Sequence, residues 1–504
     1  MKKNVRPAGV YLAAMLGIFP LYYQNFYFNI NTCKYFLFLW LTLALAAASL
    51  IQGAYRLLKG RGLGNRISVS EGALYAFVCC ALVSCLLSTD PVKAFTGELG
   101  RRSGLLYLLA IAGMTLCLAR GSLGYRACLG VFMLSGAAVC LLGVLNFYYV
   151  DPLGFYASID SGQGYIFIST IGHINFFGAF VALVLAFALA GAIDAERGGV
   201  RIACQALTLI CFVAAIASRS DSVFIAIAAA LVALLRRMLA SFKTLARALL
   251  AAAWFFAAGW IVALLPPAHR ELAGLSAIVV GLGAALPALG ALCLAGCLTA
   301  GWLAHSGKCA RGPIRALRPL YLFVGLFAAC ALLAVIWFTA FDRKTPLGAL
   351  SNYLRLDEMW GTARGFAWMC AVKSYAGFSP LQKLFGCGPD MVRSVLASQM
   401  TPEVFAVSGG VFENCHNEYL QYLLTTGALG LYCYVSFLAT ALIRLARAGR
   451  RDAAARALFA ATLGYASQAF VSVNQPITTT IFFVLLAAGL GWTGHIARRQ
   501  AIPN

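Results

Sequence analysis

GHINFFGAFVALVLAFALAGA, residues 172–192, contains no Asp, Glu, Lys or Arg, and its reading decides the fold. A helix of this length reaches about 30 Å, the thickness of a bilayer's hydrocarbon core. Its apolar residues lie all round the helix, so no face is left for water. Further runs of the same character occupy 8–24, 33–54, 70–88, 104–119, 127–147, 202–217, 222–235, 248–265, 277–303, 319–341, 418–443, 457–473 and 477–495. Hydrocarbon leaves no partner for exposed backbone groups, and no run alternates as a barrel strand would, so the spans are helices. The expected fold is all-α: a polytopic integral membrane protein of about 14 (12–14) transmembrane helices, with one large outer loop at 342–417 carrying short interfacial helices. The lower count applies if the weak pair around Ser218 and Asp221 is a re-entrant hairpin. The first run follows Lys2 and Lys3 but lacks a small-residue cleavage site, and reads as a retained helix.

Composition agrees. Of 504 residues, 62% are hydrophobic and 11% charged, less than half the charged share a water-exposed surface demands. The net charge of +22 would suit a nucleic-acid binder, but the basic residues come as short clusters between apolar runs, the pattern of membrane topology. With the N-terminus inside, 26 of the 39 Lys and Arg fall in the cytoplasm with only Glu71, Asp194, Glu196 and Asp452, so the whole excess lies inside and the outer balance is zero. Both termini are then cytoplasmic. Most of the 17 cysteines sit in apolar runs as small hydrophobes. Cys370, Cys387 and Cys415 lie in the outer loop, where pairing, including Cys387 with Cys415, is left open. The inner loops offer no Gly-rich phosphate loop and no paired-carboxylate site, which argues against an ATP-driven pump. Neither a cofactor nor a metal is expected.

Chemistry is expected on the outer side. The loop 342–417 is far longer than most connections, and its Trp360, Trp368, Tyr375, Phe378, Phe385 and Phe412 argue against disorder. Four constellations stand out. In Phe412-Glu413-Asn414-Cys415-His416-Asn417-Glu418, Asn414 as N-cap places His416 in the first helical turn. The helix dipole there disfavours imidazolium, leaving a neutral ring that accepts a proton. At about 100° per residue, Gly427 and Gly430 share the His416 face and admit a neighbouring helix. A histidine that merely caps a span beside a packing stripe is the plainer reading. Second, Arg364 lies between Trp360 and Trp368 on an amphipathic stretch, an interfacial helix offering its guanidinium to a headgroup, and Gly386-Cys387-Gly388-Pro389 is a turn able to present N–H groups to an anion. Third, Arg101 and Arg102 oppose the positive-inside trend; they suit a diphosphate, unless Glu98 pairs with one of them. Fourth, Asn175 opens the 172–192 run, and Arg219, flanked by apolar runs, must face a cavity or pair with Asp221.

His416-Asn417 followed by Gly427-x-x-Gly430 resembles the signature of the O-antigen ligase family, whose superfamily includes O-antigen polymerases and bacterial O-oligosaccharyltransferases. The supporting pieces occur in the family's order: Gly100 to Leu105, Gly172 to Asn175, Ser218-Arg219, Arg364-Gly365 with Gly386-Cys387-Gly388, and the long outer loop. The resemblance covers roughly residues 95–490. A span count above the family's usual dozen is the departure, read as extra helices near 248–303. The resemblance implies transfer of a glycan from a polyprenyl (undecaprenyl) diphosphate carrier to a hydroxyl acceptor at the outer face of the cytoplasmic membrane. A diphosphate-linked sugar is already activated, so the site needs cations for the diphosphate and a base for the acceptor proton. Arg101, Arg102, Arg219 and Arg364 are candidates for the first role and His416 for the second, with Asn417, Gly427, Gly430 and Asn175 in support. Glu413 or Glu418 is the alternative base. Expected partners are the lipid-linked glycan donor, a lipid or saccharide acceptor and membrane lipids, without nucleic acid; nothing separates ligase from polymerase. The expected organisation is 1–94 as N-terminal transmembrane helices, 95–495 as the ligase-like region and 496–504 as a cytoplasmic tail. The competing class is a flippase of lipid-linked saccharides, which would carry an inverted repeat and mid-membrane charges.

Overall fold

The computed structural model describes residues 7–60, 67–120, 125–159, 164–266, 277–306, 319–358, 360–397 and 412–500. The basic clusters expected within 2–6, 61–66 and 308–318, and the loop stretch 398–411, lie outside the described residues. The described chain is helical apart from turns and one small ribbon, in which Phe167–Ile168 pairs antiparallel with Gly172–His173.

Each of the fourteen apolar runs carries a helix, the run 277–303 being divided into Ala277–Leu282 and Ala285–His305. Among the described residues, ten helices are long and apolar enough to cross a membrane. The others, Pro7–Ile18, Leu105–Arg120, Ser222–Met238 and Ala453–Gln468, have at most 17 residues. That is a reach of about 25 Å, short of a full crossing. Glycine and polar turns cut two of them back: Gly97 to Gly104 before Leu105, and Ser218 to Asp221 before Ser222. The helices Gly198–Ala217 and Ser222–Met238 find different partners, the first on Phe242–Leu264 and the second on Ala453–Gln468, and both pack on Ile174–Asp194. Both are thus packed members of the bundle.

Ile174–Asp194 is the central helix, with 16 of its 21 residues buried. Small residues permit the close approach: a Cβ on Gly191 would come within 2.5 Å of Cys204 Sγ. By contrast, Pro319–Ala340 buries no residue. Lys34, an outer charge by sequence position, is fully buried; its Nζ donates to the carbonyls of Phe19 (2.7 Å) and Pro20 (3.0 Å) where the first helix ends.

Candidate active site at the loop end

The loop end is the face of the bundle from which residues 342–417 emerge. Asn417, not Asn414, caps the helix Glu418–Gly449: its Oδ1 accepts the N–H groups of Tyr419 (3.0 Å) and Leu420 (3.1 Å). Asn414 Oδ1 instead accepts the His416 N–H at 2.9 Å, an Asx-type turn that holds His416 at φ 47°. His416 therefore precedes the helix and has no helical face to share with Gly427 and Gly430. Gly427 itself breaks the periodicity, with φ 71° and ψ −177°.

The kink at Gly427 frees two carbonyls, and the loop uses them. Leu424 C=O accepts the Cys387 N–H (2.9 Å) and Thr425 C=O accepts the Gly388 N–H (3.2 Å). The expected anion cradle at Gly386 to Gly388 is thus spent on the helix, because a bent helix presents orphan acceptors exactly where the turn presents donors. Only glycine fits here: a Cβ on Gly427 would lie 2.2 Å from the Leu384 carbonyl oxygen, and one on Gly386 2.4 Å from that of Thr425. Gly430 meets the helix Val69–Leu86, where a Cβ would stand 3.6 Å from Cys80 Cβ.

Arg101 ties three segments together. Its Nη1 donates to the Glu413 carbonyl (2.6 Å) and its Nε faces Asp390 Oδ1 at 3.4 Å, while Nη2 is buried without a partner among the described residues. Asp390 Oδ2 also accepts the N–H groups of Glu98 (2.8 Å) and Ser103 (3.1 Å). Burial pushes the Asp390 carboxyl up, against the pull of Arg101. Glu98 pairs with Lys93 rather than with either arginine. Arg102 turns away and lies over the Phe36 ring.

Arg364 sits near the start of the helix Trp360–Ala376 and is half-buried. A Cβ on Gly365 would lie 1.8 Å from the Asp357 carbonyl oxygen, so the chain closes tightly behind it. Among the described residues the guanidinium has no hydrogen-bond or ion-pair partner; its nearest opposite charge is Asp221, which accepts the Tyr353 hydroxyl at 2.7 Å. Two imidazoles lie within reach of this cation. Burial, then the charges of Arg364 and Arg101, hold His416 down at about 3, and burial with Arg364 holds His173 at about 4. Both rings are neutral near neutral pH.

Asn175 Oδ1 accepts the Ser220 hydroxyl at 2.7 Å, and His416, Arg364 and Arg101 are brought together. Arg219 is not: it lies over Phe147, 4.9 Å from the ring centroid, beside Tyr149 and Tyr156. The Glu413 carboxylate faces Arg393 at 3.5 Å and is half exposed. Glu418 is fully buried and accepts the Tyr434 hydroxyl, in a cage with Tyr465. Cys370, Cys387 and Cys415 are free thiols. The sequence analysis assigned no role to His173, within the motif Gly172 to Asn175, or to Asp390, directly after Gly386-Cys387-Gly388-Pro389. The available signal was rarity, since of five histidines only His173 and His416 open apolar runs beside the loop.

A multi-pass helical membrane protein with a half-buried cation that has no partner among the described residues, bearing on two neutral imidazoles, has the groups for chemistry at the membrane boundary. Comparison adds a family likeness: residues 272–435, about a third of the chain, match the family model described as O-antigen ligase. The match supports a glycan-transfer role of ligase or polymerase type. It begins inside 248–303, so part of that stretch lies within the family model. No curated protein matches the chain.

Proposed function

We propose that the protein transfers a glycan from a polyprenyl diphosphate carrier to a hydroxyl acceptor at the outer face of the cytoplasmic membrane, within a unit spanning 95–495. The observation that carries this reading is Arg364, a half-buried cation without a partner among the described residues, whose charge bears on neutral His416. In the reaction the acceptor oxygen attacks the anomeric carbon and its proton passes to His416. The bond from that carbon to the phosphate oxygen breaks, and the carrier diphosphate leaves with the electron pair, its charge met by Arg364 and, from behind, by Arg101. Direct displacement inverts the anomeric carbon. The arriving diphosphate opposes the two arginines that hold the imidazole down, so its arrival raises His416 towards a working base. Arg102 over Phe36 and Arg219 over Phe147 take no part in holding the diphosphate. Excess positive charge at the other end of the bundle supports cytoplasmic termini.

The test supplies purified protein with polyprenyl-diphosphate glycan and candidate acceptors, without nucleotide. His416→Ala and Arg364→Ala are each expected to lose transfer. Transfer untouched by both substitutions overturns the site. If no acceptor is ever glycosylated while the lipid-linked glycan crosses vesicles, the protein is a flippase.

A further inference from the structure

His173 belongs to no role assigned so far, and three independent contacts hold it. It closes the two-stranded ribbon opposite Phe167, just after Gly172, whose φ of 94° turns the chain. Its ring packs on Phe176, with centroids 5.2 Å apart. Its Nδ1 accepts the Asn175 N–H at 3.1 Å, capping the central helix. That last bond decides the tautomer. A backbone N–H can only donate, so Nδ1 carries the lone pair and the ring proton of the neutral imidazole sits on Nε2. His416 has no such constraint, since its contact with Asn414 is made by its backbone N–H.

The two rings share Arg364 as their common positive neighbour, and His173 in turn bears on His416. An anion held at Arg364 is therefore beside both. A ring free to accept can take a proton; a ring whose acceptor is already occupied can only give a hydrogen bond.

Resting on the reading that a lipid diphosphate binds at Arg364, we propose that His173 is a dedicated hydrogen-bond donor, its Nε2–H offered to an oxygen of the leaving diphosphate. The ring keeps its proton throughout. The acceptor proton goes to His416, the new carbon–oxygen bond forms as the carbon–phosphate-oxygen bond breaks, and the His173 bond strengthens as charge gathers on the departing oxygen. A donor aimed at developing charge is worth about 10²–10³-fold in rate at well-studied sites; an imidazole beside a guanidinium that takes most of the charge is expected to contribute about 10–100-fold.

Four proteins separate this role from helix capping: wild type, His173→Ala, His173→Gln and His173→Asp. Asp supplies the capping oxygen without an N–H, whereas Gln supplies an N–H. Steady-state transfer is measured together with binding of polyprenyl diphosphate lacking a glycan. The expected result is a fall in kcat of about 10–100-fold for Ala, a larger fall for Asp, and recovery to within about fivefold of wild type for Gln, with KM for the acceptor unchanged. Asp as active as wild type, with Gln no better than Ala, would mean that the ring only caps the helix and would overturn the proposal. His416→Ala and Arg364→Ala run alongside. If those two also retain transfer, the parent reading fails; if they lose it while all His173 variants keep it, the fault lies with His173 alone.

Discussion

The two ends of the bundle carry similar residue types and use them oppositely. At the end away from the loop, Asp194 accepts hydrogen bonds from Arg237 Nε (2.5 Å) and Arg456 Nε (2.8 Å). Arg247 donates to the Ile193 carbonyl at 2.7 Å, and Arg444 to that of Leu490 at 3.0 Å. Arg237 and Arg456 clasp a carboxylate, Arg247 caps the C-terminal end of Ile174–Asp194, and Arg444 reaches a carbonyl within Thr478–Gln500, which is structural use throughout. At the loop end, Arg364 has no partner among the described residues and Arg101 keeps one nitrogen unpaired. Backbone strain divides the same way. The seven non-glycine residues with left-handed φ among the described ones are Phe26, Arg102, Tyr149, Ser169, Arg219, Asp390 and His416, all in loop-end segments. Each such residue costs roughly 1–3 kcal/mol and persists only where its surroundings impose it. One end spends its charges on stability; the other keeps them, in strained positions, for something that arrives.

The largest expected effect breaks the comparison if it fails. Arg364→Ala should cut transfer by about 10²–10³-fold and leave thermal unfolding unchanged, because no partner is orphaned. Arg456→Ala should do the reverse: transfer per folded molecule holds, while unfolding is eased by about 3 kcal/mol because Asp194 is left with half its clasp. Parallel activity and melting curves on the two variants read both. A loss of stability in Arg364→Ala as large as that in Arg456→Ala would erase the distinction between the ends. Arg101→Ala should show both losses, since its guanidinium anchors the Glu413 carbonyl and also bears on His416.

The next effect is in pH. His416 is held at about 3 against an ordinary 6.5, so it stays neutral as pH falls below 6.5 while the unfolded chain takes up a proton there. The stability it contributes is complete above 6.5 and is lost as pH falls towards 3. Replacing it by Ala should flatten that part of the unfolding profile. In Arg364→Gln one depressing charge is gone, so the imidazole rises, and the acid limb of kcat/KM, which reports the free protein, should move to higher pH. An acid limb that stays put would mean that Arg364 does not act on this ring.

How much of this was legible beforehand is clearest from two helices. Ile174–Asp194 and Pro319–Ala340 are equally hydrophobic, yet the first is the buried centre and the second buries nothing. Hydropathy says that a helix avoids water and cannot say whether lipid or protein replaces it. The loop-end motifs were legible as fragments because Arg101, Arg364 and His416 are residue types out of place for their surroundings. Their geometry was not. Periodicity presupposes an unbroken helix from Asn414, whereas the cap lies at Asn417 and the kink at Gly427 is met by the turn at Gly386 to Gly388 and by the Ser84 hydroxyl, which bonds the freed Thr425 carbonyl from 341 residues away in the chain.

The smallest expected effect concerns Glu413. Its side chain is 53% exposed and meets Arg393, itself 47% exposed, at 3.5 Å, a surface pair worth about 0–1 kcal/mol. What Glu413 gives to the loop end is its carbonyl, which Arg101 holds, and Glu413→Gln keeps that carbonyl. Transfer should therefore change by less than about threefold, at any salt concentration, whereas a base at this position would make the variant as inactive as His416→Ala. The same measurement on Glu418→Gln asks a different question, because that carboxylate is buried against Tyr434. Its loss should appear in the melting curve, since the amide brings two N–H donors into a buried cage where the carboxylate accepted the Tyr434 hydroxyl. Glu413→Gln silent in both measurements and Glu418→Gln visible chiefly in melting would leave His416 as the base, and would make the carboxylates of the loop end structural like those of the opposite end.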